Sequence, residues 1–429
     1  MQLGGRLAAA IEILDDIGTR HRPAADALRD WGVSHRFAGS GDRAAIGNIV
    51  YDALRLRTSS RWRFNAEGGR PEAFGALITG FAMTPDDLAG RLAGDRFAPE
   101  PLSSDEVAAW TGRDLDTAPD HVRAECPDWC APLFAEAFGG DWIAEAAALA
   151  GRPPLDVRVN TIKASPDKVA RALAKAGAAP VAGLPGALRI APVTGQGRHP
   201  NITAEPAFQK GWFEVQDCGS QAVATLAAPD EPGQVLDLCA GGGGKTLALS
   251  AGFGNKGQVH AWDADRNRLA PIFERLRRAG TRNVQVHAAD ADLSPLEDQM
   301  DLVLVDAPCT GSGTWRRRPD TKWRLAETSL DARVGEQAGV LDNAVRFVRP
   351  GGRIAYVTCS LFPQENTRQA AAFLVRHPAF RALDAMTVAE TRLPDLASAM
   401  RPDGQGGLLL TPARTGTDGF FFALFERGA

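Results

Sequence analysis

Six cysteines in 429 residues are too few and too scattered for a disulfide framework, so a reducing compartment is expected. No run of 18 apolar residues exists, which excludes a membrane-spanning helix. Met1-Gln2-Leu3-Gly4-Gly5-Arg6 lacks the apolar core and cleavage site of a secretory signal. The expectation is a cytoplasmic protein, monomeric and without a membrane partner. Metal-site spacing is missing as well. Cys126 and Cys130, with His121 upstream, form a lone CxxxC with no second pair, and both thiols read as buried. No metal is expected. A net charge of −4 argues against indiscriminate coating of nucleic acid.

The chain has the 44% hydrophobic and 23% charged composition of a globular protein with sizeable cores. Residues 1–145 read as helical. Leu7, Ile11 and Leu14 share a face, with Gly18 as the expected stop, and Ile46, Ile49, Val50, Ala53 and Leu54 make a second face opened by Ser40 or Asp42. Residues 146–209 read as a small α/β connector, with a strand at Val157–Asn160 and a helix capped by Ser165. From residue 210 to 429, strands and helices alternate. Val235–Leu238, Val259–Asp263, Val284–His287, Asp301–Asp306 and Arg353–Cys359 are the strands, and Phe420–Phe425 is a closing antiparallel one. Helices are expected at Arg266–Ala279, stopped by Gly280, and at Val334–Val348, stopped by Pro350-Gly351. The pattern implies a doubly wound α/β sheet preceded by an all-α domain.

Ligands of such sheets bind beyond the carboxyl ends of the strands. Cys309 and Cys359 each follow a strand, so both face one crevice. Cys239-Ala240-Gly241-Gly242-Gly243-Gly244-Lys245-Thr246 follows the first strand, and three ligands compete for it. A dinucleotide fingerprint fails because Thr246 stands where its third glycine belongs. A P-loop matches Gly244-Lys245-Thr246 but has Cys239 in place of its opening glycine. A nucleoside cofactor such as S-adenosylmethionine needs a glycine loop and an acid ending the second strand. Asp263 fits, with Asp290 after the third strand placed toward the adenine. Only this third ligand gives the thiols a purpose: thiolate addition to carbon 6 of cytosine makes carbon 5 nucleophilic toward a sulfonium methyl. Trp315 to Arg324 interleaves Trp315 and Trp323 with Arg316, Arg317, Arg318, Lys322 and Arg324, a composition suited to RNA.

The ordered motifs resemble those of the RNA cytosine-5 methyltransferases of the RsmB/Nop/Sun family. Arg158-Val159-Asn160-Thr161-Ile162-Lys163, Gln216-Asp217-Cys218-Gly219-Ser220-Gln221, Asp306-Ala307-Pro308-Cys309, Thr358-Cys359-Ser360 with Pro363-Gln364-Glu365-Asn366, and Thr417-Asp418-Gly419-Phe420-Phe421 carry the resemblance. It implies a class I S-adenosylmethionine-dependent methyltransferase sheet at 210–429. It makes Cys359 the nucleophile and Cys309 the residue that assists release. It places Asp306 between cofactor methyl and base, makes Lys163 a base contact, and gives the cofactor to Cys239, Ala240, Gly241, Gly242, Gly243, Gly244, Lys245, Asp263, Asp290 and Asp306. Gly241 and Gly242 stand where the family usually has Ala-Pro. Ser40-Gly41-Asp42-Arg43 leading into Val50–Arg55 is similar to the NusB-like RNA-binding module of ribosomal members, which implies 16S ribosomal RNA as substrate and partner. The alternatives are another RNA such as tRNA, a P-loop-like nucleotide hydrolase, and a non-catalytic RNA-binding assembly factor.

Overall fold

The computed structural model describes residues 1–195 and 197–429. The chain forms two compact units. One is Met1–Pro153 with Pro192–His199 and Thr314–Ala326, and the other is Pro154–Ala191 with Pro200–Gly313 and Glu327–Ala429. Among the described residues no helix is long and apolar enough to cross a membrane.

The first unit is helical. Leu7, Ala10, Leu14 and Ile17 recur along Leu3–Arg20 and are buried in one core with Ile46, Ile49, Val50 and Ala53 of Ser40–Arg55. The first helix runs through Gly18 and ends where His21 takes a left-handed φ of 49°. One glycine in a helix costs only about 1 kcal/mol, which the packing of Ile17 outweighs. Gly39, not Ser40 or Asp42, occupies the cap position of the helix Ser40–Arg55, and Asp42 instead pairs with Arg6 at 2.9 Å. Cys126 and Cys130 are fully buried, and desolvation pushes the Cys126 thiol up to about 12, so it is a neutral packing group.

The second unit holds two sheets. The smaller contains β1 (Leu155–Val159), β2 (Ala179–Pro180), β3 (Ala187–Ile190) and β4 (Phe213–Val215), antiparallel in the order β2-β3-β1-β4. Its last strand thus comes from beyond residue 209. The larger contains β5 (Gln234–Asp237), β6 (Gln258–Ala261), β7 (Val284–Val286), β8 (Met300–Asp306), β9 (Val348–Thr358), β10 (Phe380–Leu383), β11 (Arg401–Pro402), β12 (Leu408–Leu410) and β13 (Phe420–Arg427). Its order is β11-β12-β13-β9-β8-β5-β6-β7, with β10 also paired to β13. The five strands β7-β6-β5-β8-β9 are parallel and β13 is antiparallel to β9. Val235, Leu236, Val303, Leu304, Ile354 and Ala355 are all fully buried, as strands covered on both faces must be.

Two expected helices differ. Arg266–Ala279 is broken into Arg266–Leu269 and Ile272–Ala279, because Pro271 between them has no N–H to continue the ladder. Gly280, at φ 72°, ends the second piece as expected. The helix before β9 starts at Glu327 and stops at Ala344, not Val348. Phe347 and Val348 are buried and Val348 pairs with Met300, so Pro350 and Gly351 lie in the irregular start of a strand. Strand order reverses between β5 and β8, which opens a crevice beyond their carboxyl ends.

Candidate functional site

The glycine loop joins β5 to the helix Gly244–Gly252, and its backbone is fixed from both sides. Gly241 and Gly243 take φ of 49° and 79°, and a Cβ at Gly243 would lie 2.5 Å from Ile272 Cγ1. Gly241 N–H donates to Asp263 Oδ2 at 2.9 Å, and Asp265 N–H donates to Asp263 Oδ1 at 2.8 Å. A carboxylate has about four acceptor sites, so Asp263 keeps capacity for two hydroxyls. Lys245 Nζ donates to Asp306 Oδ2 at 2.6 Å, and Thr246 Oγ1 to Asp237 Oδ2 at 2.7 Å. The other oxygen of Asp237 is buried with no partner, and desolvation raises this carboxyl to about 7.

This donor set discriminates among ligands. Asp237, Asp263 and Asp306 surround the loop, and its one lysine is already paired. A triphosphate would meet like charge there, whereas a cationic cofactor with vicinal hydroxyls meets acceptors. The tight loop and the orphaned Asp237 oxygen fit S-adenosylmethionine and do not fit a phosphate chain.

The two thiols meet. β8 and β9 are parallel neighbours in a register that pairs Asp306 with Val357, and Ala307 N–H extends it by donating to Val357 O at 2.9 Å. Cys309 Sγ and Cys359 Sγ are consequently 3.3 Å apart, both half-buried. Contact with Cys359, followed by burial, pushes the Cys309 thiol well up and holds it protonated. Asp306, three residues before Cys309, links the thiol loop to Lys245 of the cofactor loop.

Glu365 and Gln337 were invisible as site residues by composition, although Glu365 lies in a motif. Glu365 accepts from Thr310 N–H at 2.8 Å and from Thr310 Oγ1 at 2.5 Å. Gln337 Nε2, reaching over from the helix Glu327–Ala344, donates to Glu365 Oε1 at 3.0 Å and to Pro308 O at 2.9 Å. Asp237 also escaped notice, although its place at the end of β5 marked it.

Two expectations fail. Lys163 is not in the crevice: its Nζ donates to Arg278 O at 2.8 Å, at the carboxyl end of Ile272–Ala279. That helix runs back from the crevice, so its last carbonyls sit toward the amino ends of the strands. The Trp315–Arg324 segment is not a free basic face. Trp315 is buried edge-on to Phe134, Lys322 Nζ donates to Glu125 O at 2.6 Å, Trp323 Nε1 donates to Leu54 O at 2.6 Å, and Arg55 donates to Arg316 O at 2.8 Å. Its charges serve packing in the helical unit, and only Arg318 and Arg324 are exposed. Asp290 lies exposed in the loop after β7. A groove of about 610 Å³ in the helical unit, between Trp31, His35 and Phe97, shares no residue with the thiol site.

Strand order, the β5 glycine loop at the reversal point and the antiparallel β13 define a class I methyltransferase fold. Residues 224–426 match the family model described as 16S rRNA methyltransferase RsmB/F, and residues 126–193 match the RsmF/B-like ferredoxin-like domain. The chain belongs to the RsmB/Sun family. Ribosomal RNA small subunit methyltransferase B of Enterobacter sp. and that of Escherichia coli are each 33% identical over 69% of this chain. The matches span 65% of those two proteins, just under two thirds of their length. A methyltransferase homolog protein from Pyrococcus horikoshii, 25% identical, superposes with a TM-score of 0.58 over 72% of this chain and 97% of its own.

Proposed function

We infer that this chain is an S-adenosylmethionine-dependent methyltransferase acting on 16S ribosomal RNA, and that it methylates carbon 5 of a cytosine by covalent cysteine catalysis. One observation carries the reading: two thiols 3.3 Å apart lie beyond the strand ends, joined through Asp306 to the lysine of the glycine loop. When bound, the cofactor supplies an electrophilic methyl group. Cys359 Sγ adds to carbon 6, the ring π pair moves to carbon 5, and carbon 5 takes the methyl. A base in the crevice then takes the carbon 5 proton, the carbon–hydrogen pair re-forms the ring double bond, and the carbon–sulfur pair returns to Cys359. Cys309, held against Cys359, assists that last step. Asp263 takes the ribose hydroxyls. The target base must leave its stack to reach the crevice.

Kinship with small-subunit methyltransferases B supports ribosomal RNA over tRNA as substrate. The carboxylate ring disfavours nucleotide hydrolysis, and the contact between the thiols disfavours a merely structural assembly factor. Calorimetry with S-adenosylmethionine, then with ATP and magnesium, distinguishes the enzyme classes; binding of ATP alone would overturn the reading. Bisulfite sequencing of ribosomal and transfer RNA from a deletion strain should show one unmethylated cytosine in 16S RNA. A lost site in transfer RNA would reassign the substrate.

A further inference from the structure

The proposed chemistry leaves one buried acid without a role. Glu365 is fully buried, yet its carboxyl faces the loop that bears Cys309 and no basic side chain is bonded to it among the described residues. Thr310 N–H, Thr310 Oγ1 and the Gln337 amide donate to it, and the Ser360 hydroxyl, beside Cys359, also favours its charged form. Gln337 spends its second N–H on Pro308 O. The two residues flanking Cys309 are therefore both tied to the Glu365–Gln337 pair. The far side of Glu365 is equally fixed, since Tyr356 Oη donates to its backbone carbonyl at 2.5 Å. Next to it, Asn366 binds Thr358 Oγ1 at 2.6 Å and Ser360 O at 2.9 Å, the residues flanking Cys359. One tetrapeptide thus grips both thiol loops. A buried carboxyl held by neutral donors is costly, and such a group is retained where it organises something.

We propose that Glu365, with Gln337, is the positioning residue of Cys309: it holds the Pro308–Thr310 loop so that the second thiol stays against Cys359, and it governs release of the methylated base rather than attack. When ionised, the carboxyl also opposes negative charge on Cys309, which favours the protonated thiol there. This rests on the covalent reading above, so the test includes controls for that reading.

Wild type, Cys309→Ala, Glu365→Ala, Glu365→Gln and Thr310→Val are incubated with 16S RNA and labelled S-adenosylmethionine. Denaturing gels then follow the protein–RNA adduct. Glu365→Ala should methylate in its first turnover, accumulate adduct as Cys309→Ala does, and lose at least tenfold in multiple turnover. Glu365→Gln keeps one acceptor and should fall between, and Thr310→Val, which removes one hydroxyl donor, should show the smaller defect. In a Cys359→Ser background, Glu365→Gln should shift the midpoint of Cys309 alkylation to lower pH, because a like charge is gone. A residue serving only stability would not move that midpoint. S-adenosylmethionine affinity and melting temperature check that Glu365→Ala is folded; if it is not, the Gln and Val variants decide. Release at wild-type rate by both, with Cys309→Ala still stranding adduct, would overturn the role of Glu365 while sparing the covalent reading. No adduct from any protein, Cys309→Ala included, would overturn both.

Discussion

The two ends of the large sheet carry motif residues of similar polarity and put them to opposite uses. At the carboxyl ends, Lys245 bonds Asp306 and Cys309 meets Cys359, while Asp237 and Asp263 accept from Thr246, Gly241 and Asp265 and keep acceptor sites to spare. At the amino ends, Asn160 Nδ2 donates to Ala279 O and to Gly211 O, each at 2.8 Å, and Thr161 Oγ1 donates to Ala251 O at 3.2 Å. Lys163 joins them on Arg278 O, and Arg158 bonds Gln216 Oε1 at 2.6 Å. Arg278 O and Ala279 O are among the last carbonyls of the helix Ile272–Ala279, which have no partner within it. A polar motif that saturates backbone is a fastener; one that leaves capacity in a crevice is a site. Recurrence of a motif does not tell the two apart, but their hydrogen-bond partners do.

The largest effect that separates the ends should come from the thiols. Cys359→Ala should show neither adduct nor methylation. Cys309→Ala should methylate once and remain as a covalent RNA complex on a denaturing gel. The reverse outcome would exchange the two roles, and full activity in both variants would remove the thiols from the chemistry.

The next test uses the buried acid of the cofactor loop. Burial raises the Asp237 carboxyl from an ordinary value of 3.8 to about 7. Between those values the folded protein holds a proton that the unfolded chain has released, so stability falls as pH rises from about 4 to 7. The slope should be at most about 1.4 kcal/mol per pH unit. Asp237→Asn still accepts from Thr246 Oγ1, and should flatten that part of the urea-unfolding profile while weakening S-adenosylmethionine at least tenfold. A variant with normal affinity would mean that the unpartnered oxygen does not face the cofactor.

Asn160→Ala tests the fastener. It removes two buried hydrogen bonds and orphans two carbonyls, so unfolding free energy should drop by about 2–3 kcal/mol. Methylation per folded molecule should stay within about twofold. Lost methylation at an unchanged melting temperature would move Asn160 into the site.

Much of this was readable in the chain. Short apolar runs at Val235–Leu238, Asp301–Asp306 and Arg353–Cys359 announced parallel strands, because residues covered on both faces leave no polar alternation. The strands in turn fixed which loops share a crevice, so the glycine loop, Asp263 and the thiols could be grouped without coordinates. Boundaries were less legible where tertiary contact overrides local signals, as at Gly18 and at Val348. The Trp315–Arg324 segment misled for a physical reason: lysine and arginine beside tryptophan suit RNA stacking and equally suit capping of buried carbonyls. Lys322 donates to Glu125 O inside the helical unit, and burial lowers its ammonium to about 8. Sequence names the donor but not the acceptor.

The smallest effect is expected at Lys163, and it bears on the same ambiguity. Its amine is exposed and bonded to one helix-terminal carbonyl, where a cation contributes a few tenths of a kcal/mol through the helix dipole and the hydrogen bond. Lys163→Met keeps the aliphatic stem, whose Cε would stand 2.5 Å from a Cβ at Gly280 and so already fills that corner. Unfolding free energy should change by less than about 1 kcal/mol, consistent with loss of one exposed charge-assisted contact. Methylation of 16S RNA and adduct formation in the Cys309→Ala background should both be unaltered. A base-contacting lysine would behave differently, with the rate falling at least tenfold at unchanged stability. That result would require the connector's signature to reach the crevice, and the amino-end fastener would then be part of the site after all.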